Sequence, residues 1–191
     1  MSAETGTLLD LGAGVGTAAL VALAHHPSLG AVLVDSEPEM LALALENIAA
    51  NGLAGRATTI SLDLTASGTS RAKAGLKTDH YAAVIANPPF FTAGAGTLAK
   101  GSARAAARHM GAGTLDLWVK TAAASAAPDG EIIFILPAES LPPLLAAFDA
   151  RFGALTLLPL SPRPEMPASR VLLRGIKGSR VPLTLLRSRT L

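Results

Sequence analysis

The chain has no cysteine among its 191 residues, which excludes disulfides and thiolate metal sites. Charged residues are also scarce, at 16%, while half of the residues are apolar, which excludes a disordered chain. No apolar run reaches the ~18 residues of a membrane span, and no basic segment suggests a signal peptide. We therefore expect one domain over residues 1–191, in the cytoplasm and without membrane or metal partners; the oligomeric state stays open.

The charges that are present are distributed unevenly. Residues 1–98 carry four Lys/Arg against eight Asp/Glu, whereas residues 151–191 carry eight Lys/Arg against one acid. A basic end on an otherwise acidic to neutral chain indicates a polyanionic partner such as nucleic acid. The alternative is a solubilising tail with no partner, and the sequence leaves both open.

Seven strand-like apolar segments alternate with helical patterns along the chain. Near-continuous apolar strands between helices predict a doubly wound (Rossmann-like) α/β domain, with a mostly parallel seven-stranded sheet and helices on both faces. Helices are predicted over residues 15–25, 37–50, 114–127 and 138–150, and APDG before the fifth strand is predicted to be a turn. The strand segments are TLLDLG, AVLVDS, ATTISLD, YAAVIA, EIIFILP, ALTLLPL and SRVLLRG.

A glycine-rich turn, LLDLGAGVG, connects the first strand to the first helix. Gly12, Gly14 and Gly16 allow a sharp turn and a close approach to a ligand, at the strand ends where such folds bind ligands. The dinucleotide fingerprint G-x-G-x-x-G/A is broken by Thr17, so a nicotinamide-dependent oxidoreductase is a distant alternative.

Three successive strands end in an aspartate: Asp10, Asp35 and Asp63. A carboxylate at Asp35 can accept hydrogen bonds from both ribose hydroxyls. Asp63 can accept from an adenine amino group, with the backbone N–H of Leu64 free to meet a ring nitrogen. Three acids suit a neutral or cationic nucleoside better than a pyrophosphate; the alternative is that they only cap helices.

The motifs DLGAGVG and VLVDSEPEML together resemble the cofactor half of class I S-adenosylmethionine-dependent methyltransferases. The resemblance implies S-adenosylmethionine as cofactor. It implies that the first acid faces the methionine amino group, that the glycines pass under the cofactor, and that the second and third acids hold the ribose and adenine. The implied cofactor residues are Asp10, Gly12, Gly14, Asp35, Ser36, Asp63, Leu64 and Asn87.

The stretch IANPPFF ends the fourth strand abruptly. The Asn87 carboxamide and the Pro88 carbonyl are two acceptors, stiffened by Pro88 and Pro89, for one planar amino group. Preorganised acceptors stabilise the positive charge that grows on the nitrogen during methyl transfer, and Phe90 offers a face for a stacked base. The stretch resembles the N-P-P-F/Y signature of amino- and amide-nitrogen methyltransferases. The resemblance implies catalytic roles for Asn87, Pro88, Pro89 and Phe90. The alternative is a stiff turn with Phe90 and Phe91 in the core.

The tail PLSPRPEMPASRVLLRGIKGSR resembles that of bacterial tRNA adenine-N6 methyltransferases acting on a valine tRNA. The main hypothesis is therefore methylation of adenine N6 in tRNA, with phosphates meeting Arg163, Arg170, Arg174, Lys177 and Arg180. Guanine N2 in ribosomal RNA and a protein glutamine N5 are alternative acceptors. Relatives carry a segment before the first strand, but only nine residues precede Asp10 here, so a truncated, inactive nucleic-acid-binding chain is a further alternative.

Overall fold

A computed structural model describes residues 1–89 and 112–191 of the chain. Apolar segments rich in Leu, Val and Ile form the strands, and alanine-rich segments between turn residues form the helices. Pro38 begins one helix and Asn51-Gly52 ends it, and Pro142 and Pro143 lie in the first turn of another, where a missing N–H is tolerated. The strands are β1 (Gly6–Leu11), β2 (Leu29–Asp35), β3 (Ala57–Ser61), β4 (Tyr81–Ala86), β5 (Ala126–Pro137), β6 (Phe152–Ser161), β7 (Arg170–Lys177), β8 (Thr184–Leu185) and β9 (Arg189–Thr190), and the helices are α1 (Thr17–His25), α2 (Pro38–Ala50), α3 (Gly68–Lys73), α4 (Ala112–Ser125) and α5 (Leu141–Asp149), preceded by a 3₁₀ turn (Ala138–Ser140).

The described strands form one sheet in the order β3-β2-β1-β4-β5-β7-β6-β8, with β9 also paired to β6. The first five strands in this order are parallel, and β7 runs antiparallel between β5 and β6. The chain moves outward from β1 to β3 and then returns to β4 on the other side of β1. This reversal creates a crevice between the ends of β1 and β4, the place where doubly wound folds bind ligands.

The predicted fold class is confirmed, but the strand count of seven is wrong. The described residues form nine strands, because the tail adds the two-residue strands β8 and β9 alongside β6. The APDG segment, predicted as a turn between elements, lies within the bounds of β5. Its residues pair with neither β4 nor β7, and Asp129 has a φ of 59°, so the chain bulges here before regular pairing resumes at Glu131.

Two cores of different composition lie on the two faces of the sheet. Helices α1 and α2 cover one face through a small core, half of which is alanine, including Ala19, Ala44 and Ala83. Helices α4 and α5 cover the other face through a larger core that contains Trp118 and Phe148. Helices therefore pack on both faces, as predicted.

Among the described residues, no helix is both long and apolar enough to cross a membrane.

Candidate active site

The predicted cofactor residues meet at one edge of the sheet, which we call the carboxyl edge because strands β1 to β5 end there. In the observed register, Leu11 at the end of β1 pairs with Val34 on one side and Ala86 on the other. One residue further along these three strands come Gly12, Asp35 and Asn87. The glycine turn (residues 12–16) thus lies between the ribose candidate and the acceptor candidate.

The glycine turn is held in a conformation that side chains disfavour. Gly12, Gly14 and Gly16 have φ angles of 70°, 55° and 88°, in the left-handed region. The N–H groups of Gly12 and Ala13 both donate to the carbonyl of Val34, at 2.8 and 2.9 Å. A Cβ on Gly12 would lie 2.6 Å from Cη2 of Trp118, so the indole of α4 packs directly against the turn.

Asp10 is a buried carboxyl group, with only 3% of the residue exposed. Its Oδ2 accepts a hydrogen bond from the backbone N–H of Ala19, in the first turn of α1, at 3.2 Å. Burial raises the pKa of Asp10 from 3.8 to about 7; the Ala19 bond opposes this shift and the negative charge of Asp35 adds to it. Asp10 therefore contributes an acceptor oxygen to the cap of α1, as the structural alternative supposed, and its raised pKa makes it more easily protonated than an ordinary carboxyl group.

Asp35 fixes the glycine turn from the end of β2. Its Oδ2 accepts from the N–H of Gly14 at 2.8 Å, and its Oδ1 accepts from the N–H of Glu37 at 3.0 Å. Each carboxylate oxygen has a second lone pair, so both remain able to accept from a ribose hydroxyl. Ser36 is exposed directly after β2, with its hydroxyl 3.5 Å from a carboxylate oxygen of Glu37.

Asp63 and Leu64 lie in a tight turn after β3, at residues 63–66. Oδ1 of Asp63 accepts from both the N–H and the hydroxyl of Thr65, at 2.8 and 2.7 Å. The Leu64 carbonyl accepts from the buried hydroxyl of Thr121 on α4, at 3.2 Å. The described residues place no acceptor on the N–H of Leu64, so this turn presents one free donor and a carboxylate, the pair that an adenine edge needs.

The acceptor candidates follow β4 at the same edge. Asn87 is exposed, Pro88 is buried and Pro89 is exposed, so the stiff Pro-Pro pair is anchored by its first ring while the Asn87 amide faces solvent. Phe90, the predicted stacking residue, lies outside the described residues, as does Phe91.

The structure separates the five basic residues predicted to contact RNA. Arg163, in the exposed β6–β7 connection, and Arg170, at the start of β7, lie at the carboxyl edge. Arg174 pairs with the buried Glu131 at 2.7 Å, and Lys177 pairs with Asp79 at the opposite edge. Arg180 is exposed beyond β7, also near that opposite edge.

Arg189, which the sequence analysis did not select, lies at the carboxyl edge. In the register of β7, β6 and β9, both Arg170 and Arg189 pair with Leu160, so the three residues form one row across the sheet. Residues in one row point to the same face, and two strand spacings separate the two arginines by about 10 Å. Only pairing of the tail with β6 creates this arrangement, and no sequence pattern indicated it.

Two more polar contacts that sequence reasoning missed support the site. The side-chain amide of Asn47 on α2 donates to the carbonyl of Val15 in the glycine turn at 3.0 Å. The hydroxyl of Thr121 likewise donates to a backbone carbonyl, that of Leu64, in the turn after β3. In the described ranges no group of three or more His, Asp or Glu side chains is placed to hold a metal ion.

Comparison with known proteins identifies the family. The family model "Methyltransferase small domain" matches residues 1–135. A curated relative, the release factor glutamine methyltransferase of Caulobacter vibrioides, is 37% identical over 84 residues, which cover 44% of this chain and 26% of the relative. The chain thus spans about a quarter of that relative's length.

Solved structures agree with this family. A structure described as a predicted O-methyltransferase from Agrobacterium tumefaciens superposes with a TM-score of 0.80 at 28% identity, covering all of this chain and 83% of that one. A geranyl diphosphate C-methyltransferase from Streptomyces coelicolor, solved with S-adenosyl-L-homocysteine, shares the fold, with a TM-score of 0.64 at 10% identity over 93% of this chain and 71% of that one. The chain belongs to the methyltransferase small-domain family, and its fold is that of class I S-adenosylmethionine-dependent methyltransferases.

Proposed function

We propose that the chain methylates the amino nitrogen of a planar group, and that the acceptor is adenine N6 in tRNA. The observation that carries the proposal is the position of Asn87, one residue past the row that joins the ends of β1 and β4. It lies beside Gly12, at the crevice where the sheet order reverses. An amide there adjoins both the cofactor turn and the open solvent from which a base would enter.

The residues at the end of β4 suit the charge that develops in such a reaction. S-adenosylmethionine supplies an activated methyl group on a positively charged sulfur. The carboxamide oxygen of Asn87 and the carbonyl oxygen of Pro88 each accept a hydrogen bond from the amino group of the substrate. These bonds orient the nitrogen lone pair and stabilise the positive charge that grows on the nitrogen. Because Pro88 is buried and Pro89 follows it, the backbone that carries these two acceptors is stiff before the substrate arrives.

In this proposal the cofactor lies across the carboxyl edge, from Asp10 to the turn after β3. Asp10 would face the methionine amino group, Asp35 the ribose hydroxyls, and Asp63 with the N–H of Leu64 the adenine. The hydrogen bonds in the structure leave acceptor capacity on the ribose and adenine candidates. The buried Asp10 would exchange its proton for an ion pair with the cofactor's amino group.

A basic row at the same edge favours RNA as the substrate. Arg170 and Arg189 flank Leu160, and Arg163 is exposed in the adjoining connection. Arginines whose backbones lie about 10 Å apart can each meet a phosphate of a single strand whose base is turned toward Asn87. Arg174 and Lys177, each already paired with an acid, contribute less in this arrangement.

The decisive assay incubates the protein with methyl-labelled S-adenosylmethionine and unmodified bulk tRNA, followed by digestion to nucleosides. We expect label in N6-methyladenosine, and Asn87→Ala should abolish it while leaving cofactor binding intact. Label in N2-methylguanosine would keep the chemistry and overturn the acceptor. Transfer that survives Asn87→Ala would overturn the role of Asn87.

The RNA part of the proposal has its own test, the salt dependence of tRNA binding. Replacing Arg170 and Arg189 together by Gln should weaken binding and reduce the slope of log K against log salt by about two. Arg180→Gln is the control at the opposite edge; it removes one charge where the double variant removes two, so the effects are compared per charge removed. Equal effects per charge would contradict a basic row at the carboxyl edge.

A glutamine side chain in a protein is the second candidate acceptor. The Caulobacter relative, named as a release factor glutamine methyltransferase, favours it, and the planar amide of glutamine presents the same N–H₂ group to Asn87. Offering the labelled cofactor together with a release factor and with tRNA, in parallel, separates the candidates. Label in the release factor alone, at a rate insensitive to salt, would favour glutamine N5.

A further inference from the structure

Helix α4 contacts two corners of the candidate cofactor site with one of its faces. Trp118 and Thr121 are three residues apart and therefore lie on the same side of the helix. The Trp118 ring packs against Gly12, and the Thr121 hydroxyl donates to the Leu64 carbonyl at 3.2 Å. Both residues are buried, with Trp118 7% and Thr121 0% exposed.

The Thr121 bond fixes the turn that presents the adenine-binding groups. In the described part of the chain, Thr121 supplies the one donor on the Leu64 carbonyl. The peptide group on the other side of Leu64 carries the free N–H, and only the φ and ψ angles of this one buried residue separate that N–H from the held carbonyl. The Thr65 bonds hold Asp63 in the same turn but do not connect it to the rest of the fold.

We propose that Thr121 is a positioning residue for selection of adenine, acting through Leu64, and that Trp118 is a positioning residue for the glycine turn. The inference rests on the cofactor placement proposed above. Through one rigid helix face, the two side chains set the separation between the glycine turn and the turn at residues 63–66. Neither residue touches the reacting atoms.

The two roles predict different binding signatures. The glycine turn passes under the part of the ligand that is common to S-adenosylhomocysteine and S-inosylhomocysteine, whereas the turn at residues 63–66 meets the base, in which they differ. Thr121→Val removes the donor at nearly constant shape and should reduce the preference for S-adenosylhomocysteine over S-inosylhomocysteine about ten-fold, the loss expected for one hydrogen bond. Trp118→Phe should weaken both ligands equally and leave the preference unchanged.

Direct competition between the two ligands gives a ratio that does not depend on the fraction of folded protein, so a destabilised variant still yields an answer. Thr121→Ser keeps the hydroxyl and should restore the ratio to the wild-type value. The control is Ala122→Gly on the same helix, which should lower the Tm through helix propensity without changing the ratio. A ratio unchanged in Thr121→Val, or reduced as much in Ala122→Gly, would overturn the inference.

The same titration separates this inference from the proposed cofactor placement. A wild-type protein that binds both ligands equally would overturn the placement of adenine at Asp63 and Leu64, and the role of Thr121 with it. A wild-type preference that Asp63→Ala abolishes but Thr121→Val leaves intact would overturn the role of Thr121 alone. A preference lost in both variants and kept in Thr121→Ser is the expected result.

Discussion

Replacing Asp10 by Asn should change how the stability of the ligand-free protein depends on pH. The folded pKa of Asp10 is raised to about 7, against an ordinary value of 3.8, mainly by burial. The folded state therefore binds this proton more tightly than the unfolded state does. The contribution is fully present below about pH 3.8 and is lost as the pH rises through about 7, a change on the order of 4 kcal/mol.

The measurement is urea denaturation of the wild type and of Asp10→Asn between pH 4 and pH 8. Other groups titrate in both proteins, so the difference between their free energies of unfolding isolates Asp10. That difference should move by about 4 kcal/mol in favour of the Asn variant as the pH rises, because Asn cannot ionise and still offers an oxygen to the N–H of Ala19.

Ligand binding adds a second readout of the same group. A cationic amino group beside Asp10 would favour its ionised form, so binding of S-adenosylmethionine near pH 6 should release close to one proton. Calorimetry in two buffers of different ionisation enthalpy measures that release, and Asp10→Asn should abolish it. Parallel pH profiles of the two proteins, together with no proton release, would refute the reasoning.

Three further substitutions test the scaffold of the site by thermal or urea denaturation. Gly12→Ala should lower both stability and cofactor affinity, since the new Cβ would lie 2.6 Å from Trp118 and the φ of this residue is 70°. The left-handed φ alone costs about 1–2 kcal/mol, and the clash with Trp118 adds to it. A variant as stable as the wild type would contradict the packing of Trp118 against Gly12. Arg174→Met should cost about 3 kcal/mol at neutral pH, because it leaves the buried Glu131 carboxylate without its cation, and this loss should shrink as the pH falls toward and below the ordinary pKa of that carboxyl, 4.5. Burial alone would raise the pKa of Glu131, but Arg174 and two backbone N–H groups outweigh it and hold the pKa below that value, so a loss independent of pH would count against the ion pair. Arg56→Lys should cost about 2 kcal/mol because a single ammonium group cannot replace a guanidinium bonded to three backbone carbonyls, and an unchanged midpoint would contradict that role.

The parallel half of the fold was predictable from the sequence because its signals are local. Each of β1 to β4 is a short apolar segment followed by a turn residue, and parallel strands bring such ends to one edge. The prediction that Asp10, Asp35, Asp63 and Asn87 gather at that edge needed only this rule. Their position relative to bound cofactor stays a prediction.

The contacts that shape the site were not predictable, because they join distant parts of the chain. Nothing near Trp118 in the sequence indicates that it packs against Gly12, or that Thr121 bonds to Leu64. The same holds for Arg189, whose place at the carboxyl edge depends on a two-residue strand too short to leave a pattern. Long-range pairing also explains why Arg174 meets Glu131 instead of lying in a continuous basic tail.

Buried side chains that touch the candidate site, including Trp118 of the larger core, set its distances, whereas the side chains around Phe148 are open to redesign. Beneath α1 and α2, Ala19 and Ala83 are fully buried, so a larger side chain at either position should displace α1 from the sheet. That displacement would lengthen the hydrogen bond from the N–H of Ala19 to Asp10. Phe148 on α5 belongs to the same core as Trp118 and Leu64, but its ring packs against Phe134 of β5 and Phe152 of β6, in the half of the sheet away from β2 and β3. Substitutions intended to raise heat resistance should therefore be made around α5, where the core can be repacked without moving the residues of the candidate site.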